Sequence, residues 1–236
     1  MKISDARVPV AGATGALGGA FLAELVDGDA RPALAGRDAG RPRRAARDRP
    51  GAPVVTCDAY APDCRARTAH DASAVLGGPD AVVVASGMVA SGTADEGGEE
   101  GMKHSLTVNA LAPAELLRTA PGTLAPGSVI AAVTGLVAGR PRRNLADCSA
   151  SEAARSAWLR AARREKRSTG VRVLDLCPGP LETGFAGRAV AGTAAPMPPG
   201  GDPRQVAGAV VDALETNTGL PRTDPGGTPA VEGRAR

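Results

Sequence analysis

The sequence predicts an α/β domain: one doubly wound parallel sheet with helices on both faces. Three observations carry that expectation. Short apolar runs alternate six times with segments of helical period, and parallel strands need helical crossovers. A glycine-rich turn stands between the first run and the first helix. The length of 236 residues suits one α/β domain, with no internal repeat or linker to divide it. Residues 1–236 are therefore read as a single domain with an irregular tail from about residue 218.

The elements follow in order. Residues 7–11 form the first strand, where Pro9 is awkward because it removes a ladder donor. Leu17, Phe21, Leu22 and Leu25 recur at helical spacing over 16–26. Residues 32–36 and 54–57 give the second and third strands, and 62–76 a helix. The basic, Pro-rich stretch 40–50 reads equally as helix or loop. Ala81-Val82-Val83-Val84-Ala85 is the clearest buried strand. After a Gly/Ser/acid loop at 87–101, residues 102–119 form a helix interrupted near Pro113. Residues 128–134 are a fifth strand, 148–167 an Ala-rich helix, and 171–177 a sixth strand. Residues 184–202 lack periodicity and read as a mobile loop, and 203–216 return to helix.

Composition excludes several functions. No apolar run approaches 18 residues, so no membrane-spanning helix is expected. No signal-peptide pattern is visible at the N-terminus. Two histidines and four scattered cysteines argue against a metal site. The cysteines suit a reducing, cytoplasmic setting. Lysine and arginine total 28, but only Lys2, Lys103 and Lys166 are lysines. Arginines cluster at Arg41, Arg43, Arg44, Arg47 and Arg49, and at Arg140, Arg142 and Arg143. No aromatic stacking residue accompanies either cluster, so nucleic acid is not an expected partner. Tyr60 is the single tyrosine.

Gly12-Ala13-Thr14-Gly15-Ala16-Leu17-Gly18-Gly19 carries the main motif. Glycines at 12, 15 and 18 let the backbone turn tightly, so a pyrophosphate reaches the N–H groups at the helix N-terminus. Gly12, Thr14, Gly15, Ala16 and Leu17 are the expected phosphate contacts. The second strand ends Ala35-Gly36-Arg37-Asp38, and Arg37 stands where a guanidinium grips a ribose 2′-phosphate. That favours NADPH, with Arg41, Arg43 and Arg44 adding charge, while the adjacent Asp38 speaks for NADH.

With these residues placed, nearly the whole chain, from about Val8 to Asn217, resembles the short-chain dehydrogenase/reductase family, whose fold is a single Rossmann-like domain. The G-x-x-G-x-x-G spacing resembles its extended and atypical branches. Cys57-Asp58-Ala59 resembles the segment that contacts adenine through Asp58 and Ala59. Ala85-Ser86-Gly87 stands in place of the family's Asn-Ala-Gly. Val108-Asn109-Ala110 resembles the segment with the family's structural and active-site Asn. Pro178-Gly179-Pro180-Leu181-Glu182-Thr183 resembles the P-G-x-x-x-T segment, which implies that Pro178, Gly179, Leu181 and Thr183 lie along the nicotinamide and its phosphate.

The departures concern catalysis. The family's Ser falls on Gly135, or on Thr134 with a one-residue slip. Its Tyr-x-x-x-Lys pair falls on Cys148 and Glu152. The usual proton relay is thus absent, and a negative Glu152 would raise, not lower, a neighbouring acid's pKa. Thr134, Ser149 and Ser151 remain as hydroxyl donors for a developing alkoxide, the proton coming from water or a substrate phenol. Asn109 either holds a water or braces its helix, and Ser149 either acts or caps an exposed helix face. His104 is either a general acid or a surface residue. Cys148 has no neighbouring base to activate it. Trp158 reads as packing.

The resemblance implies an NADPH-dependent ketoreductase, often oligomeric in this family, acting on a small-molecule ketone. Size, GC-rich composition and the missing triad resemble the angucyclinone (simocyclinone-type) ketoreductases, which implies an aromatic polyketide antibiotic intermediate as substrate. The alternative is a non-catalytic NADP(H)-binding sensor or regulator.

Overall fold

Six strands form one parallel sheet: β1 (Arg7–Ala11), β2 (Arg31–Gly36), β3 (Val54–Thr56), β4 (Ala81–Val84), β5 (Val129–Val133) and β6 (Arg172–Leu176). Their spatial order is β3-β2-β1-β4-β5-β6, so the winding reverses between β1 and β4. The computed structural model describes residues 1–37, 51–96, 98–120, 124–193, 198–216, 221–223 and 229–231. Helices α1 (Ala16–Asp27) and α6 (Pro203–Thr216) pack together on one face. Helices α2 (Pro62–Leu76), α3 (Glu99–Leu106), α4 (Ala112–Thr119) and α5 (Ala146–Glu165) lie on the other.

Alternation along the strands divides the core. Val10, Val83 and Ala131 meet Phe21, Leu22, Leu25 and Leu214 on the α1/α6 face. Val82, Val84 and Ile130 meet Ala69, Leu116, Leu117 and Leu159 on the opposite face. Both faces are covered, which is why these strands read as continuous apolar runs. Leu22 and Leu25 are fully buried, each worth about 1.5–3 kcal/mol of transfer free energy.

Pro9 does sit in a central strand. The β1–β4 ladder begins only at Val10↔Val83, beyond the residue that lacks a donor. Ahead of it the Asp80 carboxylate accepts the Arg7 backbone N–H at 2.9 Å and ion-pairs with the Arg7 guanidinium at 2.8 Å.

The helix expected over 102–119 starts earlier, at Glu99, and is interrupted by one wide turn at Thr107–Leu111. Within it the Ala112 N–H bonds to Thr107 O, five residues back. Pro113 opens α4. In a regular helix its ring would strike the carbonyl of residue 109, and the wide turn removes that clash. In the tail expected to be irregular, Pro221–Thr223 and Pro229–Val231 pair as antiparallel strands β7 and β8. Residues 40–50 lie outside the described residues. Among the described residues, no helix is long and apolar enough to cross a membrane.

Candidate active site

The site forms where the strands end. Gly12 has φ +82°, and a Cβ there would lie 2.6 Å from Ser86 N and 2.7 Å from the Ala85 carbonyl carbon. A Cβ on Gly18 would lie 2.1 Å from Gly12 O. The turn is therefore clamped between the end of β4 and the first turn of α1, and only glycine fits both places. Gly15 caps α1 without a side-chain hydrogen bond. Thr14, Gly15 and Ala16 are exposed and Leu17 is half-buried, so the N-terminus of α1 faces solvent at the β1/β4 crevice. Helix N-termini of this kind bind phosphate.

The other expected cofactor contacts converge on the same edge. Arg37 is exposed just past β2. Asp58 and Ala59 follow β3, where the Asp58 carboxylate accepts the Tyr60 N–H at 2.9 Å and Ala59 O accepts from Arg65 at 2.6 Å. Ala85 extends β4 through its N–H to Ala11 O at 2.8 Å, and Ser86 and Gly87 follow it. Pro178, Gly179, Leu181 and Thr183 run on from β6. Gly201 holds this stretch by accepting the Glu182 N–H at 3.0 Å and donating to Pro180 O at 2.8 Å. Asp38, Arg41, Arg43 and Arg44 lie outside the described residues.

The loop expected to be mobile over 184–202 is tied down in part. Val190 N–H donates to Val89 O at 2.9 Å, and Ser91 N–H to Ala191 O at 2.8 Å. Gly92 N–H donates to Asn144 O at 3.0 Å on the other side. Segments after β4, β5 and β6 thus join over the edge. Beneath them Val89, Leu145 and Cys148 form an apolar cluster with Val137 and Ala189.

The expected catalytic groups are placed differently from one another. The Thr134 hydroxyl donates to the Asp175 carboxylate at 2.6 Å, whose other oxygen accepts from Ser156 at 2.5 Å. That engagement leaves Thr134 no spare O–H. Asn109 is fully buried and committed: Oδ1 accepts Met88 N–H at 2.8 Å, and Nδ2 donates to Met88 O and Ser151 Oγ, both at 3.0 Å. It braces the wide turn against the segment after β4. Ser149 is not on an exposed face; it is buried, and its hydroxyl has no hydrogen-bond partner among the described residues. Burial pushes the Cys148 thiol up to about 12, with the Glu152 charge adding to it, so no thiolate forms at neutral pH. His104 stacks on Tyr60 with ring centroids 5.1 Å apart, and its Nε2 meets the Tyr60 hydroxyl at 3.0 Å. Trp158 packs against the core.

Two features were missed in the sequence. Glu152 is buried in an ion pair with Arg155 at 2.6 Å. The spacing of three on one helix was the available signal. Asp175, a carboxylate inside Val173-Leu174-Asp175-Leu176, was the other: an acid there needs donors.

The model of the family described as enoyl-(acyl carrier protein) reductase matches residues 12–215. Comparison with curated proteins gives no match. Solved structures share the fold at low identity. A short-chain dehydrogenase from Burkholderia cenocepacia, solved with NADP, is 21% identical with a TM-score of 0.80, covering 91% of this chain and 92% of that one. A 3-ketoacyl-(acyl-carrier-protein) reductase from Brucella melitensis, complexed with NADH, is 20% identical with a TM-score of 0.78, covering 91% and 93%. An alcohol dehydrogenase from Thermococcus sibiricus, complexed with 5-hydroxy-NADP, is 22% identical with a TM-score of 0.77, covering 89% and 90%.

Proposed function

This chain belongs to the short-chain dehydrogenase/reductase family, and on that premise we propose that it is an NADPH-dependent ketoreductase with a non-standard proton source. The observation that carries the reading is the glycine turn, where a Cβ on Gly12 would lie 2.6 Å from Ser86 N. Backbone packed that closely leaves amide groups, not side chains, facing the crevice. Gly12, Thr14, Gly15, Ala16 and Leu17 would cradle the pyrophosphate. Arg37 would hold the 2′-phosphate, and Asp58 and Ala59 the adenine. Ala85, Ser86 and Gly87 would line the middle, and Pro178, Gly179, Leu181 and Thr183 the nicotinamide end. The cofactor supplies the hydride when bound.

The chain's own residues supply little acid. Thr134 is held by Asp175, Asn109 braces Met88, and Cys148 keeps its proton. Of the candidate hydroxyls of Thr134, Ser149 and Ser151, Ser149 alone keeps donor capacity to spare, suited to stabilising an alkoxide but not to protonating it. The proton then comes from water or from the substrate. A phenol beside the reacting ketone meets that need, which supports a bulky aromatic, polyketide-type substrate.

A second reading has its own support. The Glu152–Arg155 pair lies where the family has its relay lysine, which favours a protein that binds NADP(H) without turning it over, as a sensor or regulator. One experiment separates the two. Purified protein is mixed with NADPH and a panel of polyaromatic ketones, and NADPH absorbance is followed. Oxidation with any ketone supports the reductase. Tight NADPH binding with no turnover supports the sensor, and no binding overturns both.

A further inference from the structure

We propose that the buried Glu152–Arg155 pair is a positioning clasp for the nicotinamide half of the dinucleotide, fixing the ends of β4 and β5 against α5. The inference rests on the dinucleotide reading above. The contacts form one continuous chain. Arg155 Nη1 donates to Ser86 O at 3.0 Å, just past the end of β4. Arg155 Nη2 donates to both Glu152 oxygens, at 2.7 and 2.6 Å. Glu152 Oε2 accepts the Gly135 N–H at 3.0 Å, past the end of β5. Ser86 in turn is the residue against which Gly12 packs so closely that no Cβ fits.

The pair is built to hold geometry, not to carry charge into the cleft. Its side chains are 4% and 8% exposed, and its two charges cancel locally. Each atom of the pair that reaches another element ends on backbone. A side chain that grips backbone at two strand ends fixes the first residues of those loops, ahead of the Asn109 brace at Met88. The winding reverses between β1 and β4, so the two halves of a dinucleotide lie on opposite sides of that crevice. Asp58 follows β3 on one side; Ser86 and Gly135 follow β4 and β5 on the other. The clasp should thus act on one half of the ligand only.

The test is a double variant, E152M/R155M, which replaces both charges with apolar side chains of similar length. Exchanges of this kind are often tolerated by the fold. Binding of NADPH and of 2′,5′-ADP, which carries only the adenine half, is measured by calorimetry alongside melting curves. The expected result is about tenfold weaker NADPH binding with 2′,5′-ADP changed by less than about twofold, the cost of one or two misplaced hydrogen bonds. Unchanged NADPH binding, or equal weakening of both ligands, overturns the clasp. If the parent protein binds 2′,5′-ADP and NADPH with no measurable affinity, the dinucleotide reading itself fails and takes the clasp with it. Should the double variant not fold, E152Q carries the same comparison, because it keeps an acceptor for Gly135 and removes the charge. A selective weakening of NADPH of about threefold is then expected, and none overturns the proposal.

Discussion

Arg155→Met alone isolates what the buried pair does for stability. The substitution leaves the Glu152 carboxylate, 8% exposed, with the Gly135 N–H as the one partner remaining of those described. Removing one member of a buried pair costs about 3–5 kcal/mol, because the other charge stays desolvated without compensation. For a chain of this length each kcal/mol shifts Tm by about 2–4 °C, so Tm should fall by roughly 6–20 °C. The assay is thermal and urea denaturation, followed by circular dichroism, of the parent, each single variant and E152M/R155M. The double variant should lie much nearer the parent than the two single losses added together, a coupling larger than about 1 kcal/mol. Additive losses, or an Arg155→Met variant within about 0.5 kcal/mol of the parent, would show that the pair is not an interdependent buried unit.

Three further outcomes are expected. Arg37→Ala should weaken NADPH at least about tenfold more than NADH in parallel titrations, since a charge-assisted contact to a phosphate is lost; equal weakening would sink the 2′-phosphate assignment. Cys148→Ala should leave any ketone turnover nearly intact. Because burial holds that thiol up at about 12 when folded, its contribution to stability is complete below the usual thiol range near pH 8.5 and is lost as pH rises towards 12. The stability gap between parent and Cys148→Ala should therefore shrink over that window, and a gap constant with pH would contradict the buried, protonated thiol. Gly18→Ala places a Cβ 2.1 Å from Gly12 O and should cost about 1–3 kcal/mol in urea melts, with NADPH binding largely lost. Parent-like binding in that variant would refute the clamped turn.

How much was legible in advance varies by element. The strand 81–84 and the helix 62–76 were readable because apolar run and apolar period are local properties. The glycine turn was readable because spacing plus flanking elements define it. The wide turn at Thr107–Leu111 was only half legible: Pro113 announced an interruption, but its effect falls on the turn before it. The fate of polar side chains was not legible. Ser149 read as a surface residue, because one serine on an Ala-rich helix gives no sign of which neighbour will cover it. Thr134 read as a free donor until Asp175, on the adjacent strand, took its hydroxyl.

By itself the sequence determined the alternating architecture and the glycine-rich turn between the first strand and the first helix. Each depends on which residues occur and on their separation along the chain. The tertiary structure decided the state of the polar side chains near the strand ends. Glu152 became the partner of Arg155 instead of an isolated charge, and Cys148 became an inert thiol under an apolar cover. Those outcomes depend on burial and on donors brought in from β4, β5 and β6. Desolvation makes each polar group's state a function of its neighbours in space, and those neighbours are remote in sequence.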